Sequence, residues 1–151
     1  ANMQVNQSYW RKPLPHPYNP NKTDVKIYQE YLIGDSVLLL GCTKNLVPIS
    51  TKQMDIDPWI KGPDVIKGDW LDNQQFYDNI IGDGVLNLNK GLSKKLFKMA
   101  QKHSKNFVVR SFKAKLPNMK VAEYFPDAKD FKITPHITRH LQDYCFFVWR
   151  F

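Results

Sequence analysis

The stretch SVLLLGCT, residues 36–43, decides how this chain is read. Four apolar residues in a row, Val37, Leu38, Leu39 and Leu40, predict a strand buried on both sides, the habit of a parallel sheet with helices on both faces. Gly41 follows at the strand's carboxyl end. Without a Cβ it lets the backbone turn tightly and lets a ligand come close. In open α/β sheets ligands lie beyond the carboxyl ends of the strands, so a pocket is expected to begin at Gly41 and to take its other walls from later strand ends.

Working outward, residues 1–22 read as an extended arm, because Pro13, Pro15, Pro17 and Pro20 forbid a helix there. Tyr9, Trp10 and Tyr18 either pin this arm onto the domain or bring a ring over the pocket mouth. Residues 23–151 read as a single domain. Thr23 suits an N-cap, Val25, Tyr28 and Leu32 recur at helical spacing, and Gly34 ends the helix. After Gly41, Pro48 leaves space for only a short helical turn. Short strands are predicted at 53–57 (QMDID), 64–68 (DVIKG), 76–81 (FYDNII) and 107–112 (FVVRSF). Leu92, Leu96, Met99, Ala100 and His103 form a helical stripe, with Lys94, Lys95, Lys98, Gln101 and Lys102 on the solvated side. A turn or two of helix fits between Pro117 and Pro126. Residues 131–138 and 143–151 are too close together for a helical crossover and predict an antiparallel hairpin. The result is an α/β protein, a mostly parallel sheet that closes on an antiparallel C-terminal strand.

Composition narrows the function. A chain of 151 residues, 42% hydrophobic and 13% aromatic, can bury a core and is not disordered. No apolar run approaches the ~20 residues of a membrane span, and the N-terminus lacks a signal-peptide core. Cys42 and Cys145 make neither a metal-ligand spacing nor a disulfide framework, which fits two buried thiols in a reduced, cytoplasmic setting with no metal. The net charge of +8 permits a nucleic-acid partner. It does not favour one, because the lysines look scattered and arginine is limited to Arg11, Arg110, Arg139 and Arg150.

Three acids stand at or just past successive strand ends: Asp57 before Pro58, Asp69 before Trp70, and Asp83 between Gly82 and Gly84. An acid after the second strand, about 16 residues beyond the glycine, can accept both hydroxyls of a ribose. An acid with a flat ring after the third strand can hold and cover a base. Backbone around Gly-Asp-Gly can approach the reacting end of a ligand. Asp83, His136 and His140 are the candidate general bases.

With these segments in place, VLLLGCT, MDID, VIKGDWLD, FYDNIIGDGVLN and FVVRSF together resemble the core of class I S-adenosylmethionine-dependent methyltransferases, over roughly residues 23–112. The resemblance implies a Rossmann-like sheet of seven strands whose last is antiparallel, with S-adenosylmethionine as cofactor. It places the cofactor glycine on Gly41, the ribose acid on Asp57, the adenine acid on Asp69 beside Trp70, and the motif after the fourth strand on Gly82, Asp83, Gly84 and Asn87. Only Gly41 remains of the family's glycine-rich turn. Thr43 through Asn45 would offer backbone N–H groups to the cofactor carboxylate, and Lys44 would pair with it. The family's strand order also separates the strands carrying Cys42 and Cys145, so no bridge is expected between them. The expected activity is methyl transfer to a small-molecule acceptor, in a chain so short that a homodimer could complete the pocket. The alternatives are a non-catalytic binding or scaffold protein on the same fold, and an RNA-directed methyltransferase.

Overall fold

The computed structural model describes residues 16–113 and 124–151. Its elements are α1 (Lys22–Tyr31), β1 (Val37–Leu40), β2 (Lys52–Asp55), β3 (Val65–Lys67), β4 (Tyr77–Asp83), α2 (Lys90–His103), β5 (Ser104–Phe112), β6 (Ile137–His140) and β7 (Tyr144–Arg150). Three short 3-10 turns lie at Val47–Ile49, Trp70–Asp72 and Ala128–Asp130. The strands form one seven-stranded sheet in the order β3-β2-β1-β4-β5-β7-β6. Strands β1 to β5 pair in parallel, and β7 runs antiparallel to both β5 and β6. The mostly parallel sheet and the closing hairpin expected from the sequence are both present.

All four residues of β1 are buried, as an apolar run predicts. Because side chains alternate across a strand, β1 divides its residues between two cores. Leu38 and Leu40 pack with Leu96, Phe97 and Ala100 of α2, together with Phe107 and Trp149. Val37 and Leu39 pack with Ile27 and Tyr28 of α1, together with Val108, Phe146 and Val148. The sheet order reverses between β1 and β4, and the carboxyl ends of β1, β2 and β4 meet there along one rim.

Several boundaries differ from the sequence reading. Helix α1 is capped by Asn21, one turn-residue pair ahead of Thr23, in a capping box closed by Asp24. Strand β2 ends at Asp55 and not at Asp57, and Ile56, just past it, is 70% exposed. Strand β4 continues through Gly82 to Asp83, because its parallel partner β5 runs alongside it there and pairs Gly82 with Val109 and Asp83 with Arg110. The strand expected over 131–138 is confined to Ile137–His140, since Pro135 has no N–H for the ladder. His136 therefore precedes that strand, and His140, expected in a connector, is its last residue. The short turn expected near Pro48 is the 3-10 turn Val47–Ile49. Tyr9 and Trp10, and most of the segment between Pro117 and Pro126, lie outside the described residues.

Candidate active site: the carboxyl rim of the sheet

Gly41 leaves β1 with φ +89°, a conformation that favours glycine. Its N–H donates to Met54 O (2.8 Å), and the indole Nε1 of Trp70 donates to the same carbonyl (2.7 Å). One acceptor thus fixes both the turn after β1 and a ring arriving from beyond β3. A Cβ built on Gly41 would stand 3.6 Å from Trp70 Cζ2 and 3.9 Å from Asp55 Oδ2. The carboxylate facing Gly41 is therefore that of Asp55, the last residue of β2. The sequence reading passed over Asp55 for Asp57. Strand period does not separate the two, since they lie two residues apart; what separates them is that the ladder ends at Asp55, paired with Lys67.

Asp55 is partly desolvated, and burial raises its carboxyl above the ordinary range against the backbone hydrogen bond from Asp57. Asp57 follows directly. Its N–H donates to Asp55 Oδ1 (2.9 Å), and its own Oδ1 accepts from Trp59 N (2.9 Å). Asp69 is exposed and caps the turn Trp70–Asp72 by accepting from Leu71 N (2.9 Å). Thr43 turns the loop after β1, its carbonyl accepting from Leu46 N (2.9 Å) and Val47 N (3.1 Å), and Lys44 next to it is exposed.

The Gly82-Asp83-Gly84 segment is bound inward. A Cβ on Gly82 would come within 2.6 Å of Val85 Cγ1, and one on Gly84 (φ +72°) within 2.9 Å of Phe112 Cε2. Asn87 is buried and grips both polar groups of Phe112, accepting from its N–H (2.8 Å) and donating to its carbonyl (3.0 Å). Asp83 Oδ1 accepts from Arg110 Nε (2.7 Å) and from the Tyr28 hydroxyl (2.7 Å), and Oδ2 accepts from Arg110 Nη2 (2.8 Å). Arg110 is fully buried and also donates from Nη1 to Asp24 Oδ2 (3.1 Å) and from Nη2 to Pro17 O. Tyr144 donates to Asp24 Oδ1 (2.5 Å), and His16 Nε2 lies 3.0 Å from Asp24 Oδ2. Burial and the Asp83 charge raise the Tyr28 hydroxyl well above its ordinary range, so it stays a donor. The end of the arm thus reaches the carboxyl ends of β4 and β5, where Tyr18 packs edge-on against Phe112.

Sequence reasoning missed Arg110 as a centre of the fold. An arginine inside the apolar run FVVRSF was the available sign, since a charge is buried there only if it is paired. The structure brings Gly41, Asp55 and Trp70 together at the rim and sets Asp83 within a separate buried cluster. His136 and His140 are exposed on the hairpin.

This arrangement can be set beside solved structures. Over 83% of this chain and 75% of the other, it superposes on magnesium protoporphyrin IX methyltransferase (ChlM) from Synechocystis PCC 6803 with bound S-adenosylmethionine, at 12% identity and a TM-score of 0.59. TehB from Haemophilus influenzae matches over 96% of this chain and 66% of its own, at 13% identity and TM-score 0.62. The DhpI complex with S-adenosylhomocysteine matches over 95% and 89%, at 9% identity and TM-score 0.61. The chain has the fold of S-adenosylmethionine-dependent methyltransferases. No family model matches the sequence, and no curated protein does.

Whether the rim suits such a cofactor is decided at Gly41. The missing Cβ of the glycine leaves a space bordered by both a flat ring and a carboxylate acceptor. A nucleoside offers the matching pair, a planar base and two ribose hydroxyl donors, so the residues present fit the nucleoside half of the cofactor. Among the described residues no group of histidine, cysteine and acidic side chains could hold a metal ion, and no helix is long and apolar enough to cross a membrane.

Proposed function

We propose that this chain binds S-adenosylmethionine along the β1–β2–β3 rim and transfers its methyl group to a small-molecule acceptor. The observation that supports the reading is the Asp55 carboxylate set against the positive-φ glycine at the switch point of the sheet. The domain is the segment 23–151, one helix against each face of the sheet, with residues 1–22 as its arm. Gly41 admits the ligand, and Asp55 accepts the ribose hydroxyls, with Asp57 holding its Oδ1. Asp69 and Trp70 border the base. Thr43 and Lys44 meet the carboxylate end. Gly82, Asp83 and Gly84 lie toward the reacting end. When bound, the cofactor supplies an electrophilic methyl on a sulfonium, and what the protein adds is alignment and exclusion of water. Asp83 serves there by holding Arg110 and the arm in place, and acts as a positioning residue. The buried, reduced thiols suit a cytoplasmic protein.

One observation favours a second reading, a non-catalytic protein on the same fold. The Trp70 ring is tied across the ends of β1 and β2 and already touches the space above Gly41. Calorimetric titration with S-adenosylhomocysteine separates the two. Micromolar binding that falls at least tenfold in Asp55→Ala supports the cofactor site. Neither heat nor a thermal shift at millimolar ligand supports the scaffold.

A further inference from the structure

Helix α2, KGLSKKLFKMAQKH, contains no acidic residue. Lys90, Lys94, Lys98 and Lys102 recur every fourth position and so form one row down its exposed side, about 6 Å apart along the axis. A merely solubilising face interleaves Glu with Lys at this spacing, because like charges at i and i+4 destabilise a helix. Lys90 is paired with Asp130 (3.2 Å). Among the described residues no carboxylate pairs with Lys94, Lys98 or Lys102, nor with Lys132 across the adjoining groove. The groove opens into a cavity of about 240 Å³ lined by Lys94, Lys98, Lys132, Gln101 and the aromatic residues Phe97 and Phe131. Its volume equals that of roughly eight liquid waters at about 30 Å³ each, room for one planar base. The hydroxyl of Tyr124 and the ammonium of Lys90 hold Asp130, the cavity's one carboxylate, below the ordinary range, so its charge is already engaged.

We propose that this face binds single-stranded nucleic acid, the lysine row following the phosphates while one unstacked base enters the Phe97–Phe131 cavity. A flexible strand can track a row of cations and present a base sideways, which a duplex cannot do without unpairing. The inference does not rest on the cofactor reading: the buried side of α2 packs against the Trp70–Asp72 turn, but the lysine row and its cavity share no residue with Gly41, Asp55 and Trp70.

Fluorescence anisotropy with a labelled 15-nucleotide oligouridylate tests it. Affinity should fall with salt at a log–log slope of about −2 to −3, the value for three or four phosphate contacts by a single strand. Lys94→Glu/Lys98→Glu/Lys132→Glu should weaken binding at least tenfold. Lys22→Glu/Lys26→Glu/Lys61→Glu, the same change of charge on exposed lysines elsewhere, should change it less than twofold. If the first variant melts early, the matching Lys→Gln set should reduce the slope by about 2. Equal loss in both variants, equal affinity for a 15-base-pair duplex, or equal affinity for an abasic oligomer of the same charge would overturn the proposal. So would tight binding to phosphatidylserine vesicles without binding to the oligomer. S-adenosylhomocysteine titration of each variant keeps this outcome distinct from that of the cofactor site.

Discussion

Arg110 and Asp55 carry opposite electrostatic burdens. Arg110 is a buried cation held by two buried carboxylates, Asp83 and Asp24, and removing it leaves both buried without the guanidinium, Asp83 with only the Tyr28 hydroxyl among the described side chains. Arg110→Met should cost about 3–5 kcal/mol, read from urea denaturation, although methionine fills much of the space. Asp55 is the reverse case. Burial raises its carboxyl, so the folded state is penalised for carrying the charge above the ordinary carboxylate range. Asp55→Asn should therefore raise the melting temperature at pH 7 while weakening S-adenosylhomocysteine binding. The stability gain should vanish in acid, once Asp55 is protonated in both states. The thiols obey the same physics. Burial pushes Cys42 up to about 12 and Cys145 to about 11, so neither should react with a thiol reagent at pH 8 until the protein is unfolded.

Among the elements, the corner between α1 and β1 is the most exacting. Gly34 has φ +56°, and a Cβ there would fall 2.3 Å from Asp78 Oδ2. That oxygen accepts from Asp35 N (2.8 Å) and Ser36 N (3.3 Å), which holds the Asp78 carboxyl below its ordinary range. Gly34→Ala should destabilise by about 1–3 kcal/mol in thermal melts, by adding backbone strain and expelling the carboxylate. The Asp78 contribution itself is present above the ordinary carboxylate pKa and is lost as pH falls through the lowered one. The sequence located this corner but not its cap: the helix ends at Tyr31 with Leu32 as C-cap, and Gly34 turns the chain two residues later. The strands β1 and β7 were legible too, since each is an apolar run, unbroken until Arg150 ends β7. The ends of β2 and β4 were not, because a partner strand decides where a ladder stops: Gly82 and Asp83 look like a loop until β5 lies beside them. The same limit explains the site. Asp55 and Asp57 are alike in sequence and two residues apart, so strand period puts both on one face, and only the end of the ladder at Asp55 tells which one stands beside Gly41. Asp83 looks like chemistry until Arg110, 27 positions away, is seen to claim it.

For the molecule as a whole, residues 16–22 at the end of the arm are part of the domain's wall. Pro17 O closes the coordination of Arg110, Tyr18 packs on Phe112, and Asn45 reaches back to donate to Pro20 O (2.7 Å). Deleting residues 1–18 should lower stability by about 1–3 kcal/mol in denaturant titration, the worth of a charge-assisted hydrogen bond plus an aromatic contact. The pairing should survive as a sheet, because β1, β4, β5 and β7 form its buried centre without the arm.

Trp70 gives the rim an optical signature. Its indole is tethered to Met54 O beside Gly41, whereas Trp149 is wholly buried in the α2-side core and Trp59 stands 69% exposed. Among the three described tryptophans, iodide should quench Trp59 first and leave Trp149 unquenched. A nucleoside arriving between Gly41 and Asp55 must then perturb the emission of Trp70, so the protein carries its own unlabelled gauge of occupancy.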